Sequence, residues 1–157
     1  MINVGGDSFT ATDGTAYMAD TFYSGGSTFS TNSVIGNTNA VALYQTERYG
    51  DFSYAIPVAN GDYNLTIQFA EIYWDGPGQR IFDVLVEGTE RVSNLDIYAV
   101  AGKDTAYDIT LPVKVNDGVL NLEFRTDVDN AKLSGLKLTK ISTVPNSPTS
   151  LAIRPQN

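Results

Sequence analysis

The chain has 157 residues, 42% hydrophobic and 18% charged, a composition that suits one ordinary domain with a sizeable core and lies far from the disordered regime. Histidine and cysteine are both absent, which excludes Ser-His-Asp and Cys-His catalysis, thiol nucleophiles and His/Cys zinc sites; no cofactor is expected, and calcium is the structural metal left open. A formal net charge of -8 repels phosphate backbones and anionic lipid surfaces, so the expected partner is neither nucleic acid nor membrane but a neutral molecule.

The first forty or so residues are rich in Gly, Ser, Thr and Asn, with aromatics at Tyr17, Phe22, Tyr23 and Phe29. They predict short strands joined by long loops, where binding groups usually sit. Tyr44-Gln45-Thr46-Glu47-Arg48-Tyr49-Gly50 is dense in groups that can contact a hydroxylated ligand. A β-turn stabilised by Glu47 and Arg48 with Tyr44 in the core is the simpler explanation, and Tyr49 fits either reading.

Phe52, Tyr54, Ile56 and Val58 then share one face of a strand that ends at Asn60-Gly61, and Tyr63, Leu65, Ile67 and Phe69 answer them, a β-hairpin pattern. Pro57 marks the first of these strands as an edge or a bulge. The second strand runs into Phe69-Ala70-Glu71-Ile72-Tyr73-Trp74-Asp75-Gly76-Pro77-Gly78, where two aromatics stand side by side. A strand alternates its faces, so at least one of Tyr73 and Trp74 must leave the core. Flat aromatic faces beside carboxylates and glycines are what a sugar site needs. Glu71 falls in phase with Phe69, and Asp83 lies between Ile81 and Leu85; both predict structural ion pairs, with Arg80 and Arg48 as candidate partners.

Arg80 to Val86 is apolar on both faces and predicts a strand lying between two layers. Arg91 to Tyr98 predicts a short strand. A second hairpin pattern pairs Tyr107, Ile109, Leu111, Val113 and Val115 with Leu120, Leu122 and Phe124 across Asn116-Asp117-Gly118. Asp127-Val128-Asp129-Asn130 predicts a loop whose side chains can orient sugar hydroxyls, ligate calcium or bond their own backbone, the last being the ordinary case. Lys132 to Ile141 predicts a last strand with a bulge at Gly135. From Ser142, prolines at Pro145, Pro148 and Pro155 give the texture of an interdomain linker, so a domain over 1–141 and a linker or tail over 142–157, within a longer modular protein, are expected. No segment has sustained helical periodicity, and the sum is all-β: an antiparallel β-sandwich, with jelly-roll preferred over immunoglobulin order.

Several of these segments together resemble the malectin domain and its bacterial carbohydrate-binding relatives. They are Ile2-Asn3-Val4-Gly5-Gly6, Leu43 to Tyr49, Phe69-Ala70-Glu71-Ile72-Tyr73, Phe82-Asp83-Val84, Leu95-Asp96-Ile97-Tyr98 and Val128-Asp129-Asn130-Ala131-Lys132. The resemblance implies a jelly-roll sandwich, galactose-binding-like in architecture, that binds glucose-containing oligo- or polysaccharide without hydrolysing it. It implies ligand contacts from Tyr49, Tyr73, Trp74 (where the family has Phe) and Asp129, with Tyr23 or Phe29 supplying an early-loop aromatic. It also implies a bacterial extracellular or cell-surface module, within a secreted glycan-degrading enzyme or an adhesin. Two other functions compete: a glycosidase pairing Glu71 with Asp75 or Asp129, which needs no histidine, and a calcium-stabilised structural or adhesive module.

Overall fold

The computed structural model describes residues 1–141, so the linker reading of 142–157 falls outside the described residues. In chain order the elements are β1 (Ile2–Asn3), β2 (Phe9–Thr10), β3 (Ala16–Ala19), β4 (Tyr23–Ser30), α1 (Val41–Tyr44), β5 (Thr46–Pro57), β6 (Gly61–Phe69), β7 (Ile81–Val86) and β8 (Thr89–Leu95). After these come α2 (Ile97–Ala101), β9 (Tyr107–Val115), β10 (Val119–Val128), β11 (Lys132–Leu133) and β12 (Gly135–Lys140). One sheet has the order β2-β3-β1-β12-β6-β9, and the other β11-β5-β10-β7-β8 with β4 added on β5. All of these pairings are antiparallel except β1 with β3. The result is the jelly-roll sandwich, and its core lies between the sheets, where Phe52 stacks on Phe124 at 4.6 Å and Phe69 meets Phe82 edge-on at 5.6 Å.

The alternation of inward and outward residues holds on both sheets, but neither expected hairpin exists. β5 pairs with β4 and β10, whereas β6 pairs with β9 and β12. Asn60-Gly61 and Asn116-Asp117-Gly118 therefore carry the chain from one sheet to the other. Two strands whose apolar faces meet across a core have the same period-two signature as two that pair edge to edge. The crossings brace each other: the Val58 N–H donates to the Gly118 carbonyl at 3.0 Å, and the Gly118 N–H donates to Asn60 Oδ1 at 2.7 Å.

Other expectations are corrected in the same way. Pro57 is the last residue of a strand paired on both sides, so β5 is no edge, and its bulge-like shift lies instead against Gly25 to Ser27. β7 is internal to its sheet, but Ile81 and Asp83 on its outward face stay part-exposed. The strand expected over Arg91 to Tyr98 ends at Leu95, because Asp96 accepts the Ala99 N–H at 3.1 Å and caps α2. Both helices are too short to leave a periodic signal. Lys132 to Ile141 is not one bulged strand: β11 belongs to one sheet and β12 to the other, with the switch at Ser134. A smaller apolar cluster of Tyr17, Ile35, Leu43, Tyr44, Ala70, Ile72 and Ala106 forms beside the main core, and Tyr44 is buried in it.

The early segment is locked to the start of β5 at Gly5. Its φ of 74° is left-handed, its N–H donates to Asp20 Oδ2 at 2.9 Å, and a Cβ there would lie 2.3 Å from the Glu47 carbonyl oxygen. Gly5→Ala is therefore expected to cost roughly 2–4 kcal/mol, the sum of backbone strain and overpacking. Gly14→Ala, with φ of 89° but nothing within 4 Å of its Cβ, meets the backbone penalty alone. Urea midpoints at constant m separate the two.

Candidate functional site

Past β6 the alternation collapses. Phe69, Ala70, Glu71 and Ile72 are all buried in succession, and the chain then emerges with Tyr73 54% exposed and Trp74 half-buried. Neither aromatic joins the core. The turn that expels them is organised by Glu71, 1% exposed, whose Oε2 accepts the backbone N–H groups of Tyr73 and Trp74, each at 3.2 Å. Arg80 neutralises it, with Nε donating to Oε1 at 2.8 Å and Nη2 to Oε2 at 3.3 Å. The same guanidinium donates from Nη1 to the Asn130 carbonyl at 2.8 Å. One buried ion pair thus fixes the loop after β6 and the loop after β10 relative to each other. Arg48 is not Glu71's partner; it pairs with Asp20 at 2.9 Å. Asp83, expected in a buried pair, is part-exposed and accepts the Asn94 N–H at 2.7 Å.

Asp129 lies in the second of those loops with φ of 64°, and its Oδ2 accepts the Trp74 indole N–H at 3.0 Å. Tyr73 stands perpendicular to both neighbours, 4.8 Å and 90° from Trp74 and 5.6 Å and 85° from Phe29. Phe29 on β4 and Tyr49 on β5 complete a pocket of about 270 Å³. Phe29, Tyr49, Tyr73, Trp74 and Asp129 are therefore brought together, although they come from four separate segments. Tyr23 is not among them. It sits at the far end of β4, opposite Tyr54, with the Arg48 guanidinium 3.5 Å from its ring centroid.

The pocket also has a floor that sequence reasoning did not assign to it: Glu47 and Arg80, with Asn130 beside them. Glu47 and Tyr49 lie two apart on one strand, and Phe29 is directly opposite Glu47 in the β4–β5 register. That spacing was the available signal. Behind Glu47, the fully buried Lys132 ammonium donates to Glu47 Oε1 at 2.5 Å and to the Ala70 carbonyl. Burial pulls the Lys132 pKa below the ordinary lysine value, and the Glu47 charge opposes that pull. Among the described residues no three His, Cys, Asp or Glu side chains converge to hold a metal ion. A broader hollow of about 1040 Å³ lies on the outward face of β5, β10 and β7, around Ser53, Asn121 and Glu123; the aromatic residues along it, Phe52, Tyr54 and Phe124, are buried in the core.

The sequence profile of the Malectin domain matches residues 1–144. The chain belongs to the malectin domain family. Malectin-A of Xenopus laevis is 39% identical over 101 residues, covering 62% of this chain and 37% of that protein, and human malectin is 38% identical over 94 residues, covering 58% and 32%. The rice kinesin-like protein KIN-14E is 32% identical over 153 residues, 88% of this chain but 14% of its own length. Among solved structures, the ANXUR2 extracellular domain of Arabidopsis thaliana superposes with a TM-score of 0.81 at 19% identity, covering 91% of this chain and 48% of that one. The β-glucuronidase of Bacteroides uniformis superposes with 0.80 at 20% identity, covering 90% and 18%. These last two likenesses show the fold. The chain spans about a third of the length of the malectins it matches.

In this malectin domain the tie between Glu71 and Arg80 makes Glu71 structural. Glu71→Gln is expected to destabilise the domain by roughly 3–5 kcal/mol, because it leaves the Arg80 charge buried without its partner. Asp75→Asn, which breaks the exposed Lys103–Asp75 contact, is expected to leave the melting temperature within error. Equal shifts in thermal melts of the two variants would contradict this assignment.

Proposed function

We propose that this malectin domain is a non-catalytic carbohydrate-binding module for a neutral, glucose-containing oligo- or polysaccharide. The observation that carries the reading is the convergence of Phe29, Tyr49, Tyr73 and Trp74 with Asp129 in one small pocket. A pyranose presents an apolar face and a rim of hydroxyls. The rings supply flat apolar area, and Asp129, exposed at the rim and fixed by the Trp74 indole, supplies the acceptor. The family membership supports a lectin-like domain of this class. A shallow polar ligand of this kind binds in the μM to mM range, about 4–8 kcal/mol.

Against the glycosidase alternative stands the state of Glu71. Hydrolysis requires two carboxylates free to flank the scissile bond, one to donate a proton and one to attack or to activate water. Both oxygens of Glu71 are already engaged by Arg80 and by backbone N–H groups, and Asp75 is an exposed loop residue held by Lys103. A setting outside the cell, as a module of a larger bacterial protein, fits a domain whose structural likenesses include a plant receptor ectodomain and part of a bacterial glycan hydrolase.

Calorimetry against gluco-oligosaccharides tests the reading. Tyr73→Ala and Trp74→Ala are each expected to weaken binding about tenfold, as the loss of one aromatic platform does. Unchanged affinity in both variants would move the site elsewhere, and a wild-type domain that bound no glucose-containing glycan would overturn the function. Release of reducing sugar that Glu71→Gln abolishes would overturn the non-catalytic assignment.

A further inference from the structure

The floor of the pocket is more polar than binding by aromatic platforms requires. Glu47 is 1% exposed and Arg80 3% exposed, yet both line the cavity. The structural task of Glu47 uses a single oxygen: Oε1 holds the Lys132 ammonium, while Oε2 accepts no hydrogen bond from the described residues and is not among their sealed, unpartnered atoms, as an oxygen open to the cavity would be. Lys132 is further satisfied by the Ala70 carbonyl. Arg80 donates once from Nε, once from Nη1 and once from Nη2, and a guanidinium has five N–H groups, so each terminal nitrogen keeps one donor in hand. The site therefore holds, beneath its rings, one free carboxylate oxygen and unfilled guanidinium donors, all rigidly placed.

The charges can be counted as well. Lys132 is matched by Glu47, and Arg80 by Glu71; Asp129 at the rim, 3.9 Å from Arg80 Nη1, is left over. Three carboxylates face two cations, a net charge of minus one around the cavity. An anionic sugar would meet two carboxylates, Glu47 and Asp129, against one guanidinium whose charge Glu71 already balances.

We propose that Glu47 is a ligand-contacting residue that accepts a sugar hydroxyl at the pocket floor, and that this floor selects a neutral hexose over the corresponding uronic acid. The proposal rests on the carbohydrate-binding reading above. A hydroxyl can donate to Glu47 and accept from Arg80, whereas a carboxylate in the same place is repelled by Asp129 and above all by Glu47, which at 1% exposure is little screened by solvent.

The test uses the wild-type domain first. Cellobiose, laminaribiose and maltose are titrated calorimetrically against their counterparts ending in glucuronate. The neutral sugar is expected to bind about tenfold tighter or better at low ionic strength, with a gap that narrows as added salt screens the charges. A monodeoxy series of the best disaccharide, measured on wild type and Glu47→Gln, locates the contact. The variant is expected to bind the parent sugar about tenfold more weakly, as loss of a hydrogen bond to a charged group does, and to match wild type for the one deoxy sugar that lacks the contacted hydroxyl. If Glu47→Gln does not fold because Lys132 loses its partner, the neutral-to-uronate ratio on wild type decides alone. A uronate that binds as well as its neutral counterpart, or a folded Glu47→Gln with full affinity, would overturn the proposal. If Tyr73→Ala loses binding while both of those results hold, the carbohydrate reading survives and this inference fails; if wild type binds none of the neutral disaccharides, both fail.

Discussion

The site depends on one buried ion pair. Glu71 and Arg80 sit at 1% and 3% exposure, where separating either charge from its partner would be far costlier than on the surface. Their hydrogen bonds do more than neutralise each other. Glu71 collects the backbone N–H groups of Tyr73 and Trp74, and Arg80 collects the carbonyl of Asn130. Two loops distant in sequence are thereby fixed at one spacing, the spacing at which the Trp74 indole reaches Asp129. A site made of loops thus inherits the rigidity of the core, and ring orientation need not be recovered from a mobile ensemble each time a ligand arrives.

The second buried pair, Lys132 with Glu47, does the same from the opposite side. Lys132 opens β11, directly opposite Tyr49, so the ammonium ties the β5 wall of the pocket to the carbonyl of Ala70 at the root of the Tyr73-Trp74 loop. The jelly-roll order makes this geometry available. β5 carries Glu47 and Tyr49 on one sheet, while β6 leads to Tyr73 and Trp74 from the other, and the crossing at Asn60-Gly61 is what puts consecutive strands on opposite sides of the core. Had β5 and β6 formed a hairpin, those two groups would have been cross-strand neighbours on one surface rather than two walls of a cavity.

That contrast marks how far the sequence can be read. Period-two patterning identified the strands that carry the core, such as Phe52 with Tyr54 and Leu65 with Ile67, because burial on one face imposes it directly. It could not identify partners, since a pair across the core and a pair along a sheet edge look alike. The sheet switch at Ser134 and the turn α2 were hidden for a related reason: each is set by one or two hydrogen bonds, with no periodic trace. At the site, adjacent aromatics at Tyr73 and Trp74 betrayed themselves by breaking the alternation. Glu71 did so by being a carboxylate in a buried phase, and Arg80 was the partner to expect. Tyr49, Asp129 and Phe29 drew their weight from the resemblance, and Tyr23, an equal candidate with Phe29, proved to be at the other end of the same strand. Glu47 was legible as one of several groups able to meet a hydroxylated ligand, with a structural charge the simpler explanation; its place at the pocket floor depends on which strand faces β5.

The most direct test of the account is a nitrogen–proton NMR titration of the domain with a gluco-oligosaccharide, since its only tryptophan gives one indole N–H resonance. If the pocket clamped by Glu71 and Arg80 is the binding site, the Trp74 indole signal and the amides of Asp129 and Asn130 move together with ligand, while Ser53 and Asn121 in the broad outer hollow stay in place. Binding that shifts Ser53 and Asn121 and leaves the indole signal unmoved would contradict it.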